Sequence, residues 1–290
     1  MSQLTINGIA YPFETSETLY ECVSRHIGRD EIPVLCHDPA LEPFGACRIC
    51  LVEVARSVGE KGRLMASCHT PVAEGLHVST GSERLMKARK GILELLLSNY
   101  PQERLEPTAG ERPTPFQRLL QEYGVSHSRY PLGEEPGRPS QPHPYLRFDP
   151  AECIHCYRCI RACDEVQGQF VLAMANRGIK SHIIQGLAGD FGEAGCVSCG
   201  RCVQTCPTNA LHDRYRAKTI KAEHTVPTVC TYCGVGCNLE VKVQQGRVAA
   251  ISAIEGAAVN NGHSCLKGRY AFEYVHHPDR LTSPLIRRDG

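Results

Sequence analysis

Cys153-Ile-His-Cys156-Tyr-Arg-Cys159-Ile-Arg-Ala-Cys163 is answered by Cys196-Val-Ser-Cys199-Gly-Arg-Cys202-Val-Gln-Thr-Cys206-Pro207. The second run repeats the first at an offset of 43 residues for all four cysteines. Each has the Cys-x2-Cys-x2-Cys-x3-Cys spacing that wraps a cubane iron–sulfur cluster. A third group, Cys230-x2-Cys233-x3-Cys237, follows, with Cys265 beyond a 27-residue gap. Ahead of the pair stand Cys36, Cys47, Cys50 and Cys68. The 17 cysteines therefore divide into four groups of four, with Cys22 left over. Cys22 falls among the apolar positions of a helix and reads as a core thiol, since free cysteine packs as a small hydrophobe.

The chain has 290 residues, enough for two or three compact units. Its 32 basic and 31 acidic residues leave a net charge of +1, which gives no global field to attract nucleic acid or a membrane surface. No apolar run approaches the length of a membrane span. The start, Met-Ser-Gln-Leu-Thr-Ile, has neither the basic region nor the apolar core of a signal peptide, so a cytoplasmic protein is expected. Cysteines bunched at ligand-like spacings in such a chain favour metal binding over disulfides.

Residues 1–80 read as a small β-rich domain. Alternation from Leu4 to Phe13 around Asn7-Gly8 predicts a hairpin, and 18–28 predicts a short helix ended by Gly28. A strand should leave Cys50, and 63–68 should return antiparallel to it around a tip at 59–62. Residues 82–98 predict an amphipathic helix with an apolar stripe of Leu85, Ile92, Leu95 and Leu96 and basic residues opposite. The stretch 81–144 is this helix followed by a Pro-rich connector, interrupted by a helix over 115–124. Its five prolines between Pro131 and Pro144 predict an extended surface segment. The two runs define a domain over 145–213 with a hairpin turning at 176–178. A small β-rich module occupies 223–290, turning at Gln245-Gly246. The fold class is α+β.

By spacing alone the first and last groups suit either an iron–sulfur cluster or structural zinc. Cys36-His-Asp-Pro-Ala-Leu-Glu-Pro-Phe-Gly-Ala-Cys47-Arg-Ile-Cys50-Leu-Val-Glu-Val resembles the plant-type [2Fe-2S] ferredoxin-like domain shared by NAD-linked formate dehydrogenases, the large iron–sulfur subunit of complex I and iron hydrogenases. That likeness implies a [2Fe-2S] cluster on Cys36, Cys47, Cys50 and Cys68. Those relatives continue into a site of one histidine and three cysteines, but no cysteine lies between Cys68 and Cys153. That cluster is absent. In bacterial two-cluster ferredoxins the fourth cysteine of each run ligates the other cluster. Carried over, one [4Fe-4S] cluster takes Cys153, Cys156, Cys159 and Cys206, and the other takes Cys163, Cys196, Cys199 and Cys202. His155 and His182 are then surface or supporting residues.

The segments 227–237, 262–272 and 275–287 resemble the [4Fe-4S] module that opens the catalytic region of molybdenum or tungsten bis-pterin oxidoreductases, in its formate dehydrogenase form. The resemblance implies a third [4Fe-4S] cluster on Cys230, Cys233, Cys237 and Cys265. It also makes Lys267 an electron relay between cubane and pterin. The molybdenum or tungsten ligand and the residues that act on formate lie further along in that family and have no counterpart here. A truncated catalytic subunit and a separate iron–sulfur subunit docking on a pterin-binding chain both remain open.

The likeness implies the electron-conducting part of a formate dehydrogenase. It would link a molybdenum or tungsten bis-pterin centre to a flavin- and NAD-carrying partner through three [4Fe-4S] clusters and one [2Fe-2S] cluster. Three alternatives stand beside it: a complex-I-like NADH dehydrogenase component, another bis-pterin substrate such as nitrate, and a zinc-stapled scaffold. No nucleotide-binding glycine loop, nucleophile elbow or His-Glu-x-x-His site competes with these readings.

Overall fold

In the computed structural model, which describes residues 2–130, 143–187 and 190–288, the chain opens with the hairpin that its alternation predicts. β1 (Gln3–Ile6) and β2 (Ile9–Pro12) pair antiparallel, with Asn7 and Gly8 both at positive φ. A tight hairpin turn needs that conformation at both central residues, which is why Asn-Gly suits it. α1 (Leu19–His26) starts at a capping box: Thr18 accepts from the Glu21 amide while the Glu21 carboxylate takes the Thr18 amide. β3 (Leu51–Ala55) leaves Cys50, and β4 (Arg63–Ala66) returns antiparallel into Cys68. β5 (His77–Ser79) completes a five-stranded sheet of order β2-β1-β5-β3-β4, parallel to β1 and antiparallel to β3. Its three residues are too few for periodicity to reveal a strand. Cys22 is fully buried with Leu4, Ile6, Leu19 and Val52, and burial pushes its thiol up to about 11.

α2 (Glu83–Leu97) is capped by Ser82, which accepts from the Leu85 amide. The expected stripe needs correction. Leu85, Leu93 and Leu97 are buried and Ile92 and Leu96 partly so, whereas Leu95 is 54% exposed. Arg89, expected on the polar face, occupies the buried row at 2% exposure. Its guanidinium donates to the Leu51 carbonyl at 2.7 Å and to the Tyr123 hydroxyl at 3.2 Å. An arginine stem is apolar, so it can lie in a leucine row provided its head finds acceptors. α3 (Pro115–Tyr123) has Pro115 in its first turn, a Thr114–Gln117 capping box, and Gly124 in the left-handed conformation at its end. It buries Phe116, Leu119, Leu120 and Tyr123 against Leu93, Leu97 and Tyr100. The connector therefore contributes core here. The expected extended segment lies outside the described residues up to 142. His143 beyond it is buried, not on the surface, and its ring accepts from the Tyr145 and Leu146 amides.

β6 (Leu146–Phe148) and β9 (Leu211–Asp213) pair antiparallel and tie together the ends of the double-run segment. Between them, α4 (Arg158–Arg161) continues into a wide turn over Ala162–Val166 that carries Cys163. β7 (Leu172–Ala175) and β8 (His182–Gln185) form the expected hairpin, its turn lengthened by a 3-10 turn at Gly178–Lys180. α5 (Arg201–Thr205) lies within the second run and carries Cys202. β10 (His224–Val229), a strand beyond those expected, joins β11 (Asn238–Gln244) and β12 (Arg247–Ala253) in an antiparallel meander. α6 (Leu266–Tyr270) then sends Tyr270 into the core of the double-run segment, stacked on Tyr145 with ring centres 4.6 Å apart. Among the described residues, no helix is long and apolar enough to cross a membrane.

Arg89→Ala is expected to lower stability by about 3 kcal/mol, because it strands a buried carbonyl and opens a cavity. Anaerobic thermal unfolding of the loaded protein measures this. A variant as stable as the parent would show that the buried guanidinium is not a fastening.

Candidate metal centres

The first group sits where β3 and β4 meet the loop from Cys36 to Cys50. All four thiols are buried. Cys50 and Cys68 bring their Sγ atoms to 3.3 Å, so the β3–β4 hairpin accounts for the long interval between them. The Cys36 and Cys47 amides donate reciprocally to each other's Sγ at 3.4 Å. Gly45 and Arg48 take positive φ on either side of Cys47, which turns this backbone inward. Sulfur hydrogen bonding from Cys47 and Cys68 pulls the Cys36 thiol down to about 2. The Cys68 contact pulls Cys50 to about 7. Their partners Cys47 and Cys68 are pushed up. Four thiolates gathered in a dry place need positive charge among them, which bound iron would supply.

The two runs repeat in backbone as well as in sequence. His155 and Tyr157 in the first, and Ser198 and Gly200 in the second, all have positive φ, again 43 residues apart. The Ser198 amide donates to Cys196 Sγ and the Val171 amide to Cys163 Sγ, both at 3.4 Å. The Leu211 amide reaches Cys206 Sγ at 3.5 Å. Such N–H···S bonds favour the thiolate and tune the potential of a bound cluster.

Thiol neighbours divide across the runs. Burial pushes Cys153 and Cys156 up to about 12, and both also feel the charge of Cys206. Cys159 is raised by burial and by Cys156, Cys153 and Cys206. Burial raises Cys196, Cys199 and Cys202 as well, and each of these feels Cys163 instead. Cys163, Cys196, Cys199 and Cys202 line one cavity together with Leu172 and Phe191. Beside it, the buried Tyr270 hydroxyl and Arg269 Nε have no hydrogen-bond partner among the described residues. Donors of this kind suit an anionic cluster with inorganic sulfide. Among the described residues, no three His, Cys, Asp or Glu side chains converge tightly enough for a single ion.

In the last module the Cys230 amide donates to the Cys237 carbonyl at 2.8 Å and closes the loop. Burial raises the Cys237 thiol, and Cys230, Cys265 and Cys233 add to the shift. A Cβ at Gly268 would stand 3.4 Å from Cys230 Sγ, so α6 lies directly on that loop. Cys233, Cys265 and Lys267 are exposed.

The groups stand in file. Cys36, Cys47 and Cys156 share one apolar cluster with Leu35 and Ile154, and Cys36 is among the charges felt by Cys156. Cys159 feels Cys202 across the two runs. Cys199 feels Arg269, and Tyr270 feels Cys202 and Cys199, which joins the second run to α6 and the Cys230 loop. Gly200 makes that last junction possible. A Cβ there would lie 2.5 Å from Arg269 Cδ and 2.6 Å from the Tyr270 hydroxyl, whereas its counterpart in the first run is Tyr157.

Motif spacing did not reveal several residues around the groups. Lys218 is half-buried and donates to the Cys206 carbonyl, and burial of its ammonium pulls it down to about 8. Asp38 is buried between the first group and both runs. Burial opposes its charge, but the Arg158 and Arg201 guanidiniums hold its carboxyl well below the usual range. The only available signal was that Arg158 and Arg201 fill the same place in the repeat, immediately before the third cysteine.

Comparison with known proteins places three families on the chain. Residues 1–83 match the 2Fe-2S iron-sulfur cluster binding domain. Residues 152–210 match the 4Fe-4S dicluster domain, and 223–277 match the molybdopterin oxidoreductase Fe4S4 domain. The NADPH-Fe(3+) oxidoreductase subunit alpha of Geobacter sulfurreducens is 33% identical over 259 residues, covering 88% of this chain and 30% of that protein. The NADH-quinone oxidoreductase subunit 3 of Thermus thermophilus is 34% identical over 300 residues, covering 91% of this chain and 37% of that protein. The chain thus spans about a third of the length of the curated relatives it matches. Among solved structures, a chain of an NAD+-reducing [NiFe]-hydrogenase in the H2-reduced state aligns with a TM-score of 0.62 at 29% identity. The alignment covers 73% of this chain and 87% of that one. The architecture is therefore a 2Fe-2S ferredoxin-like domain, 4Fe-4S domains and a molybdopterin-oxidoreductase Fe4S4 module.

Gly200→Ala is expected to cost about 1–3 kcal/mol through overpacking against Arg269 and Tyr270. Thermal unfolding of the loaded variant against the parent measures this, and a midpoint equal to the parent's would show that α6 does not seat against Gly200.

Proposed function

The chain carries the iron–sulfur region of the family that joins molybdopterin oxidoreductases to the large iron–sulfur subunit of complex I, and on that premise we propose that it is the electron-conducting part of a nicotinamide-linked oxidoreductase. The observation that carries this reading is the succession of thiol groups: the first three are linked through a shared apolar cluster or charge contacts, and the third is joined to the last through Arg269 and Tyr270 of α6. In order they are Cys36/Cys47/Cys50/Cys68, Cys153/Cys156/Cys159/Cys206, Cys163/Cys196/Cys199/Cys202 and Cys230/Cys233/Cys237/Cys265. A [2Fe-2S] cluster on the first and [4Fe-4S] clusters on the others would supply one-electron redox steps in either direction.

The chain's own residues supply position, dryness and local charge. Amides of Cys36, Cys47, Val171, Ser198 and Leu211 point hydrogen bonds at thiol sulfurs, which steadies their charge. Leu35, Ile154, Leu172 and Phe191 exclude water from the inner three groups. The outer group keeps Cys233 and Cys265 exposed, with Lys267 on the same helix turn. That face is the one that would meet the donor or acceptor body, with Lys267 as the relay toward it.

In its finer form the proposal makes that body a molybdenum or tungsten bis-pterin centre acting on formate in the cytoplasm, with a flavin- and NAD-carrying partner at the other end. Support comes from the formate dehydrogenase form of 227–237 and 262–272 and from the family match over 223–277. A complex-I-like role is the second reading, favoured by the identity to quinone oxidoreductase subunits. The missing histidine–cysteine site between Cys68 and Cys153 weighs against it.

Anaerobic isolation of the intact complex separates these readings. About 14 iron per chain, together with one molybdenum or tungsten and formate-dependent cluster reduction, supports the finer proposal. The same iron with quinone reduction and no pterin metal would replace it with the complex-I-like reading, and about four zinc without iron would overturn both. Lys267→Ala should keep its iron but slow formate-dependent reduction of the [2Fe-2S] signal, followed by rapid-freeze EPR. Unchanged kinetics would remove Lys267 from the path. Cys206→Ser should lose the cluster of the Cys153 group, visible as a fall in iron and in its EPR signal.

A further inference from the structure

One carboxylate holds three parts of the file together. Asp38 stands two residues past Cys36 and is 4% exposed. Its Oδ2 accepts from Arg158 at 2.8 Å and from the Thr205 hydroxyl at 2.6 Å. Its Oδ1 accepts from Arg201 at 3.0 Å and from the Ala40 amide at 3.0 Å. Arg158 also donates from Nε to the Thr205 hydroxyl at 2.8 Å and from its other terminus to the Leu35 carbonyl at 3.2 Å. Every acceptor position of the carboxylate is thus engaged, which is the condition under which a buried ion holds its place.

The two guanidiniums come from matching positions of the two runs. The approximate two-fold relation of the runs therefore converges on Asp38. Arg158 precedes Cys159 and Arg201 precedes Cys202, so the carboxylate touches the loop of each [4Fe-4S] group from the loop of the [2Fe-2S] group. Two cations against one anion leave a buried excess of positive charge between groups that are anionic once loaded. A separate, more exposed fastening lies alongside. Arg161 donates to the Glu42 carbonyl and pairs with Glu165 at 2.8 Å, and Phe44 packs on Tyr157 with ring centres 5.2 Å apart.

We propose that Asp38 is the positioning residue that sets the separation and orientation of the Cys36 group relative to the Cys156 group, and through them the rate of electron passage between the two. This rests on the electron-conducting reading above. It goes beyond it in assigning the coupling to a residue that touches no cluster. A carboxylate shared by two repeat-related arginines has one arrangement that satisfies all partners, so the groups it joins are held in one geometry.

The test uses the intact complex with Asp38→Asn and, as a gentler change, Thr205→Val. Three quantities are read: iron content, the dipolar EPR interaction between the reduced [2Fe-2S] cluster and its neighbour, and the rate of reduction of one through the other. Asp38→Asn should keep its iron, weaken or broaden the dipolar interaction, raise the midpoint potentials of both neighbours and slow the transfer several-fold. Thr205→Val should move the dipolar interaction and the rate in the same direction by less. Glu165→Gln, on the outer fastening, should leave both unchanged.

Parental interaction and rate in Asp38→Asn would overturn the proposal. If Asp38→Asn loses iron, Thr205→Val decides: a changed interaction upholds the proposal and a parental one overturns it. A parent complex without the two cluster signals would instead overturn the electron-conducting reading, and the present inference with it.

Discussion

Burying a thiolate is costly unless hydrogen bonds and positive charge surround it, and this chain must do so for half of its sixteen grouped sulfurs. That constraint shapes the loops. Positive φ at Arg48, His155, Tyr157, Ser198 and Gly200 turns peptide groups toward the cysteines. Strands and helices elsewhere are short, with six turns of 3-10 or wider type among the described residues, because the segments serve chiefly to hold these loops in place.

The same constraint explains the basic residues found inside. Arg158 and Arg201 flank cluster-type loops, Lys218 caps the Cys206 carbonyl, and Arg269 lies beside Cys199. Each is a cation placed near a concentration of thiol sulfur. The exceptions are equally informative. Arg89 is far from the thiols in role: it satisfies a carbonyl at the end of β3 and binds α2 and α3 to the sheet. Through that packing, the stretch after α2 joins one buried cluster that also holds Cys36 and Cys156.

Order along the file is a packing result with functional weight. A molecule that hands electrons from one end to the other needs its carriers adjacent, dry and fixed. The inner groups meet those demands through shared cores, whereas the last group is half open. The exposed β10 strand and the exposed apolar residues Val229, Tyr232 and Val235 lie on that open module.

The amino-acid sequence determined the spacing of the thiols and the local elements beside them. Asn7-Gly8, the Thr18–Glu21 and Thr114–Gln117 boxes, and the two runs 43 residues apart could all be read directly. These features depend on residues close along the chain, so local chemistry is enough to specify them. Only the tertiary structure decided which groups are neighbours, that Arg89 points inward while Leu95 faces solvent, and that Asp38 meets arginines 120 and 163 residues away. Those outcomes depend on which distant surfaces pack together, since a buried charge becomes tolerable only where the fold delivers its partner.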